Sequence, residues 1–333
     1  MAHEDQLDAL RSGRIAVVAL DDGGVALDTV TGAYYRLNAV GGMVLRALSD
    51  KGALDDATTM LVARFGIDRA LAERDVMAML AGIGQETGPT VRRRDLDYAF
   101  EREDDQLWLT EKGRRVLAVS VDGSELRSAP GATADELARC LLWASASVMA
   151  LRGVLVLHAS CVGIRGEGLA IAGESGAGKT TTARSFVKAG AQPIAEDTLI
   201  VAEGGAVVGG EAALREWVEQ SVPALLQGPI GTAPLHACLD GARMPLSAVL
   251  VIEAARRAGD TIARTALGPT DALVRMIDNV FWGPKGRDSW GPAFRQCAAL
   301  TAVTPIFDAS APQGLDALER AARDYISTYT SKR

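Results

Sequence analysis

The sequence predicts an α/β domain preceded by a smaller α+β domain of the winged-helix type. In residues 1–90, three short apolar runs are followed by three helical patterns. Further along the chain, apolar strand patterns alternate with helical ones, which is typical of an α/β domain. Between these regions lies a Gly-Pro-Thr segment followed by three arginines, a composition typical of a linker. We therefore predict domains at 1–88 and 153–333, joined by a linker and a small β/α subdomain at 89–152.

The N-terminal domain is predicted to start with a β-hairpin and a third strand. Strand patterns cover residues 14–20, 25–28 and 33–37, and the Asp-Asp-Gly-Gly segment between the first two is typical of a turn. Asn38 is placed to cap a helix over residues 39–48. Apolar residues at helical spacing predict two further helices, at about 54–65 and 67–83.

The remaining elements follow from the same patterns. Residues 107–121 predict a second hairpin around a Glu-Lys-Gly turn, and residues 136–151 predict a helix with one apolar face. The C-terminal domain is predicted to contain strands at 154–162, 168–172, 194–202 and 246–252, and helices at 179–189, 270–281 and 315–328.

The composition excludes several classes of protein. With 48% hydrophobic residues in 333, the chain is too apolar to be disordered, and its net charge of −7 argues against non-specific binding to nucleic acid. The four cysteines lie far apart and form no CxxC pair, so we expect neither a structural zinc site nor a disulfide framework. The acidic N-terminus does not resemble a signal peptide, and no apolar run reaches the roughly 18 residues that a membrane helix needs. We expect a cytoplasmic protein without membrane contact.

Residues 173–180, with the sequence Gly-Glu-Ser-Gly-Ala-Gly-Lys-Thr, match the phosphate-binding pattern G-x-x-x-x-G-K-[ST] in full. In such a loop, backbone N–H groups point at phosphate oxygens. Lys179 would contact the β- and γ-phosphates of ATP, and the Thr180 hydroxyl would bind Mg²⁺. The predicted nucleotide site consists of Gly173, Glu174, Ser175, Gly176, Ala177, Gly178, Lys179, Thr180 and Thr181. The alternative is a plain glycine turn between a strand and a helix, with an incidental lysine.

Three side chains near this motif are candidates for catalysis. His158 precedes it on an apolar stretch, and Glu196 and Asp197 follow the next predicted helix. A carboxylate there would bind Mg²⁺ or accept a proton from an incoming hydroxyl. The alternatives are a histidine packed in the core and a solvated pair of acids at a strand end.

Residues 154–201 resemble HPr kinase/phosphorylase and its relatives. The resemblance rests on His158, on the motif at 173–180 and on the Ala-Glu-Asp segment that ends at Asp197, at spacings that agree with the family. It extends over roughly residues 100–325 and implies a P-loop kinase fold. It also implies that Lys179 binds phosphate, that Thr180 and Asp197 bind Mg²⁺, that Glu196 and Asp197 supply the base, and that His158 assists near the transferred phosphoryl group. Kinases of this kind are often oligomers, so the resemblance allows a homo-oligomer.

Two residues depart from that family. Thr181 stands where HPr kinases carry a glutamate, and Glu196 replaces the first aspartate of the acidic pair. These departures argue against the protein HPr as the substrate. Lys285 and Arg287 are candidates for a basic contact to substrate or phosphate, and the alternative for them is a charged surface loop.

The N-terminal domain resembles the PqqD-like recognition elements of ribosomal peptide (RiPP) biosynthesis. The matching residues run from Val25 to Asn38, with Thr-Gly-Ala-Tyr-Tyr-Arg-Leu-Asn at their end, and continue through Gly41, Leu45 and two helices. Such domains bind the leader segment of a precursor peptide, which adds as a strand to the sheet edge. The resemblance implies a groove between the last helix and a peptide-binding edge formed by Ala33, Tyr34, Tyr35, Arg36 and Leu37. At least one tyrosine should pack on the sheet, because neighbouring strand residues face opposite sides.

A winged-helix domain that binds DNA is the alternative for this region. Residues 1–90 contain 13 acidic and 8 basic residues, which gives a net charge of −5. A domain that reads DNA is expected to be basic, so the charge argues against nucleic acid as a partner.

Together the two resemblances imply a kinase that binds a ribosomal precursor peptide and phosphorylates a Ser or Thr hydroxyl of it, like the kinases that modify lasso peptides. Tethering through the leader would raise the effective concentration of the acceptor residue. Three alternatives remain. They are ATP-driven activation and cyclisation of the peptide, a nucleotide-gated adaptor that delivers peptide to other modifying enzymes, and a kinase for a small molecule.

Overall fold

A computed structural model of the chain describes residues 2–49, 53–83, 90, 98–152, 154–202, 204–237, 243–254, 259–282 and 287–329. Most of the predicted linker, together with Cys238 and Lys285, lies outside these residues.

The N-terminal domain combines an antiparallel sheet with helices. Its elements are α1 (Ala2–Arg11), β1 (Ile15–Leu20), β2 (Gly23–Asp28), β3 (Tyr34–Leu37), α2 (Ala39–Ser49), α3 (Leu54–Phe65) and α4 (Arg69–Gly82). The strands pair in the order β1-β2-β3. The structure confirms the predicted strands and helices, and the Asn38 side chain accepts a hydrogen bond of 2.8 Å from the N–H of Gly41, as a cap should. α1 was not predicted, because this segment is mostly polar and has few apolar residues in register.

A second sheet and a long helix follow. The elements are β4 (Tyr98–Glu103), β5 (Gln106–Glu111), β6 (Arg114–Ser120), β7 (Glu125–Ser128) and α5 (Ala134–Leu151). The predicted second hairpin is confirmed as β5 and β6, and the predicted helix as α5. β4 and β7, which extend the hairpin into a larger sheet, were not predicted.

The C-terminal part alternates strands and helices. Its first elements are β8 (Leu155–Leu157), β9 (Ser160–Ile164), β10 (Glu167–Gly173), α6 (Lys179–Lys188), β11 (Gln192–Ala195), β12 (Leu199–Ala202), β13 (Ala206–Gly210) and α7 (Glu211–Leu225). They are followed by β14 (Ile230–Gly231), α8 (Ala233–Ala237), β15 (Met244–Ile252), β16 (Ala263–Ala266), α9 (Pro269–Ile277), α10 (Arg287–Val303), β17 (Ile306–Ser310) and α11 (Leu315–Thr328). β14 joins the second sheet beside β7, and the other strands form one large mixed sheet.

The large sheet has the order β11-β9-β10-β15-β13-β12-β8, with β17 also paired to β15 and β16 paired to β17. β10, β15 and β17 run parallel to one another, so their carboxyl ends lie at the same edge of the sheet. At that edge Ile252 lies between Gly173 and Ala309. The glycine-rich motif therefore begins at the carboxyl edge of a buried parallel pair, where α/β proteins bind ligands.

Two strand predictions were wrong in the same way. Residues 154–162 do not form one strand, because the chain leaves β8 at His158 and enters β9 at Ser160. β8 pairs with β12, whereas β9 pairs with β10 and β11. Residues 194–202 are likewise interrupted by a bend at Glu196–Thr198, between β11 and β12. A continuous apolar run carries no mark of the point where a strand changes partners, which explains both errors.

The helix predicted at 270–281 ends earlier than expected. α9 stops at Ile277, and Val280 then forms a β-bridge with Leu157 of β8. The N–H of Phe281 donates a hydrogen bond of 2.8 Å to the carbonyl of Val156. The segment after α9 thus runs beside the strand that leads to His158.

The N-terminal sheet is buried on both faces. Ala26 and Leu37 belong to a core cluster with residues of α2, α3 and α4. Val25, Leu27 and Tyr34 belong instead to a cluster with residues of α9 and α10. β2 packs against α9, and β1 packs against α10. The N-terminal domain therefore shares a hydrophobic core with the C-terminal part of the chain.

Asp28, at the end of β2, is a buried carboxylate with several donors around it. It accepts hydrogen bonds from the Arg14 guanidinium at 2.9 Å and from the N–H groups of Val30 at 2.8 Å and Thr31 at 3.1 Å. Burial raises the pKa of Asp28, but the hydrogen bonds outweigh burial and hold the pKa below its usual value.

We expect Asp28→Ala to lower the free energy of unfolding by about 2 kcal/mol, because it leaves two backbone N–H groups without their acceptor. Asp28→Asn keeps an oxygen at that place and should cost less. The folded-state pKa is depressed, so the carboxylate contributes its stability above the unfolded pKa of about 4 and loses it as pH falls through the folded pKa. Urea titrations at pH 7 and at lower pH values should show that the gap in free energy of unfolding between wild type and Asp28→Asn becomes smaller as the pH falls. A gap independent of pH would contradict this account.

Candidate functional site

The phosphate-binding motif forms a turn between β10 and α6. Gly176 has φ of 79° and Gly178 has φ of 92°, a left-handed backbone that side chains with a Cβ atom rarely adopt. The glycines therefore allow the chain to curl before α6 begins at Lys179. The N-terminus of α6 carries a partial positive charge and faces the loop. Such a loop and helix end together attract an anion.

Lys179 and Thr180 occupy the first turn of α6. Lys179 is buried, and its Nζ donates hydrogen bonds to the carbonyls of Gly173 at 2.9 Å and Glu174 at 3.2 Å. The ammonium therefore lies against the backbone of the loop. Thr180 is half-buried, whereas Thr181 is exposed on the helix.

The structure brings His158 and Asp197 together. His158 lies in the break after β8, and Asp197 lies in the bend after β11. The Nδ1 atom of His158 is 3.1 Å from Oδ1 of Asp197, and the two side chains are 8% and 58% exposed. His158 is thus a mostly buried imidazole next to a largely exposed carboxylate. His158 also packs edge-on against Phe281, with ring centroids 5.8 Å apart, so it is both packed and paired with a carboxylate.

Glu196 lies next to Asp197 in the same bend. It lies 3.6 Å from Arg184, and its side chain is 67% exposed. Ion pairs between exposed side chains contribute little free energy, so this contact does not fix the position of Glu196.

Glu253 is a functional candidate that the sequence analysis missed. It follows β15 directly, and β15 is the parallel neighbour of β10. Phosphate-loop proteins commonly carry a metal-binding carboxylate after an apolar strand near the loop. The four apolar residues Val249-Leu-Val-Ile before this acid were the signal that could have revealed it.

A cavity of about 490 Å³ lies beside the loop and is lined by Gly173, Glu174, Ser175, Glu253, Arg275 and Asn279, among others. Arg275 on α9 donates a hydrogen bond of 3.1 Å to Asp308 and lies 3.6 Å from Glu253. The hydrogen bond from Arg275 to Asp308 raises the pKa of the guanidinium, which therefore stays charged. The cavity thus combines one cation, the carboxylates of Glu174, Glu253 and Asp278, and the backbone of the glycine-rich loop.

Asn279 ties the end of α9 to the loop. It is buried, and its Oδ1 accepts a hydrogen bond of 2.9 Å from the N–H of Gly173. Its Nδ2 donates to the carbonyl of Arg275 at 2.9 Å, which orients the side-chain amide. An asparagine just past a helix is common in sequences, so no pattern distinguished this residue.

A second cavity of about 490 Å³ lies between β3 and α4, and its lining includes Arg36, Leu37, Val40, Val44, Val76 and Met79. We call this cavity the groove. Of the predicted peptide-binding residues, Arg36 and Leu37 line it. Tyr34 is buried against α9 and α10, and Tyr35 packs toward the helices of its own domain. Ala33, just before β3, forms a β-bridge with Thr90. The prediction that at least one tyrosine packs on the sheet is therefore confirmed.

Metal clusters, reactive cysteines and membrane-spanning helices find no support within the described residues. They contain no cluster of three or more His, Cys, Asp or Glu side chains suited to a metal ion. Cys140, Cys161 and Cys297 are free and buried, and burial raises the pKa of each thiol to about 12. These thiols are therefore poor nucleophiles. None of the described helices is both long enough and apolar enough to span a bilayer.

The N-terminal domain has a relative among known families. Residues 23–86, from β2 to just beyond α4, match the family model of coenzyme PQQ synthesis protein D, or PqqD. This match confirms the predicted PqqD resemblance of the N-terminal domain. No curated protein matches the chain. The kinase resemblance of the C-terminal part, with the residue roles that depend on it, stays a prediction.

We expect Gly173→Ala to destabilise the protein more than Gly176→Ala. Both substitutions place a Cβ on a backbone of positive φ, a strain of about 1 to 2 kcal/mol. At Gly173 the added Cβ would also overlap the carbonyl oxygen of Ile252, whereas at Gly176 it meets open space. Thermal unfolding of both variants would test this difference. Equal melting temperatures would show that the β10–β15 contact tolerates a side chain.

Proposed function

We propose that the protein is an ATP-dependent kinase of a ribosomally made precursor peptide. The leader of the peptide would bind at β3, and a Ser or Thr hydroxyl elsewhere in the peptide would accept the γ-phosphoryl group. The observation that carries the proposal is a His158–Asp197 pair in the same chain as a complete phosphate-binding motif and a PqqD domain.

The residues of the loop suit ATP and Mg²⁺. The glycine turn supplies backbone N–H donors, Lys179 supplies a buried cation, and α6 directs its positive end to the same place. The Thr180 hydroxyl and the Asp197 carboxylate are oxygen ligands of the kind that Mg²⁺ prefers, and Glu253 is a third candidate. Bound Mg²⁺ would neutralise charge on the phosphates.

The proposed transfer needs a base and a positive charge. The acceptor oxygen would form a bond to the γ-phosphorus while the bond to the bridging oxygen breaks and ADP leaves. Asp197 would accept the hydroxyl proton, since its exposed carboxylate can meet a substrate from solvent. His158 would hold that carboxylate in place through Nδ1, and Lys179 would stabilise negative charge on the phosphate oxygens.

The groove supports a peptide as the substrate. β3 is the last strand of its sheet among the described residues, so its outer edge, beyond the bridge between Ala33 and Thr90, can pair with an added strand. The apolar side chains between β3 and α4 would receive alternate side chains of the leader. A tethered acceptor would reach the transfer site at high effective concentration, so the transfer site would need little affinity of its own.

The direct test is intact-mass analysis of the precursor peptide encoded beside the gene, incubated with the protein and Mg-ATP. We expect a gain of one phosphoryl group that is absent with Lys179→Ala, because that variant lacks the phosphate-binding ammonium. Fragmentation would locate the acceptor residue. A peptide that stays bound without a change in mass would instead favour a delivery adaptor. A loss of mass equal to one water would favour ATP-driven cyclisation.

A groove variant would test the binding site separately. Val40 and Leu71 are both exposed apolar residues, but Val40 lines the groove and Leu71 does not belong to the lining described above. We expect Val40→Asp to weaken binding of a fluorescein-labelled leader peptide by about tenfold, because a bound strand would bury the new charge. Leu71→Asp should bind like wild type in the same anisotropy titration. Similar losses in both variants would place the peptide elsewhere.

A further inference from the structure

α9 lies between the peptide groove and the phosphate loop. Its nine residues span about 13 Å at 1.5 Å per residue. The first turn contacts the N-terminal domain, and the residues just after the last turn contact the loop.

The start of α9 is capped from another domain. Asp22, in the turn between β1 and β2, accepts hydrogen bonds from the N–H of Thr270 at 3.0 Å and from its hydroxyl at 2.6 Å. The residue at the usual capping position is Gly268, which has no side chain to do this. A Cβ added at Gly268 would lie 2.7 Å from the Asp22 carboxylate, so the glycine makes room for this cap. The negative charge also suits the positive end of α9.

A residue of the groove contacts the same turn. Arg36 lines the groove, and its Nη1 lies 2.6 Å from Oδ1 of Asp271 on α9. The pair is exposed, so its own contribution to stability is small. The position of the pair matters more, because a peptide paired with β3 would lie next to Arg36, which contacts Asp271 of α9.

The body of α9 packs into the shared core. Leu273, Met276 and Ile277 belong to one buried cluster with Val25 and Leu27 of β2. Closely packed side chains transmit displacement, because they leave little free volume to absorb it. α9 and the N-terminal sheet should therefore move as one body.

The chain just past α9 contacts two parts of the nucleotide site. Asn279 accepts a hydrogen bond from the N–H of Gly173 with its side chain, and another of 2.7 Å from the N–H of His158 with its backbone carbonyl. A shift of α9 would therefore displace the first residue of the loop and the candidate catalytic histidine together.

We infer that α9 couples the peptide groove to the nucleotide site, with Asp22 as a positioning residue for nucleotide binding. The inference rests on the proposed function for the identity of the two ligands. A leader strand added to β3 would extend the sheet that carries Asp22 and Arg36, and would hold α9 where Asn279 bonds to Gly173. Peptide binding therefore tightens nucleotide binding, and by linkage nucleotide tightens peptide binding by the same factor.

The test is calorimetric titration of Mg-ADP into the full chain, with and without saturating precursor peptide. Asp22→Ala should weaken Mg-ADP binding by about fivefold or more and should reduce the gain that peptide produces. Asp22→Asn keeps an acceptor and should restore most of the affinity. Asp68→Ala is the matched control, because Asp68 caps α4 through the N–H groups of Ala70 and Leu71 in the same domain. It should lower the melting temperature and leave Mg-ADP affinity unchanged.

The outcomes separate this inference from the kinase proposal. Wild-type affinity in Asp22→Ala would overturn the coupling and leave the kinase proposal intact. If the affinity for Mg-ADP depends on Asp22 but the protein transfers no phosphoryl group, the coupling is supported and the kinase proposal is overturned. Wild type that binds Mg-ADP no better than Lys179→Ala would overturn both. If Asp22→Ala does not fold, Gly268→Ala should show the same loss, since its Cβ displaces the Asp22 carboxylate, and an unchanged affinity there would overturn the coupling.

Discussion

The parallel pairing of β10 with β15 is the constraint on which the candidate site depends. It sets the backbone of Gly173 against Ile252, and it brings the start of the phosphate loop and Glu253 to one edge of the sheet. Both strands are buried along most of their length, so their apolar side chains strongly favour this pairing. The close approach of the two backbones explains why a glycine begins the loop. His158 is linked to this edge through Asn279, whose backbone carbonyl accepts a hydrogen bond from His158 and whose side chain accepts one from Gly173.

The attachment of the N-terminal domain combines apolar and polar contacts with different roles. Burial of a large apolar side chain such as Leu27 contributes about 1.5 to 3 kcal/mol, whereas an exposed ion pair such as Arg36–Asp271 contributes about 1 kcal/mol or less. The shared core therefore supplies most of the free energy of attachment. Asp22 and Arg36 set the orientation, because hydrogen bonds are directional and apolar contacts are not. Removal of residues 1–88 would expose one side of α9 and α10, so a truncated chain would report on lost stability as well as lost recognition.

The sequence predicted those features that are encoded locally. The motif at 173–180 was found because its chemistry needs those residue types in that order, and α3 was found because its apolar residues recur at helical spacing. The breaks at His158 and Glu196 were missed, because they depend on which strands lie beside the chain. Glu253 had a local signal that was overlooked. Asn279 had none, since its role arises only when α9 packs beside β10.

The positions of Glu196 and Asp197 bear on one departure from the HPr kinase pattern, the glutamate at position 196. The Asp197 carboxylate lies 3.1 Å from Nδ1 of His158, and the Glu196 carboxylate lies 3.6 Å from Arg184. In the proposed reaction the base is therefore Asp197, and Glu196 need not accept the proton. The replacement of aspartate by glutamate at position 196 then falls on the side chain that contacts Arg184. The glutamate at position 196 therefore does not remove the proposed base, and it does not argue against transfer of the phosphoryl group.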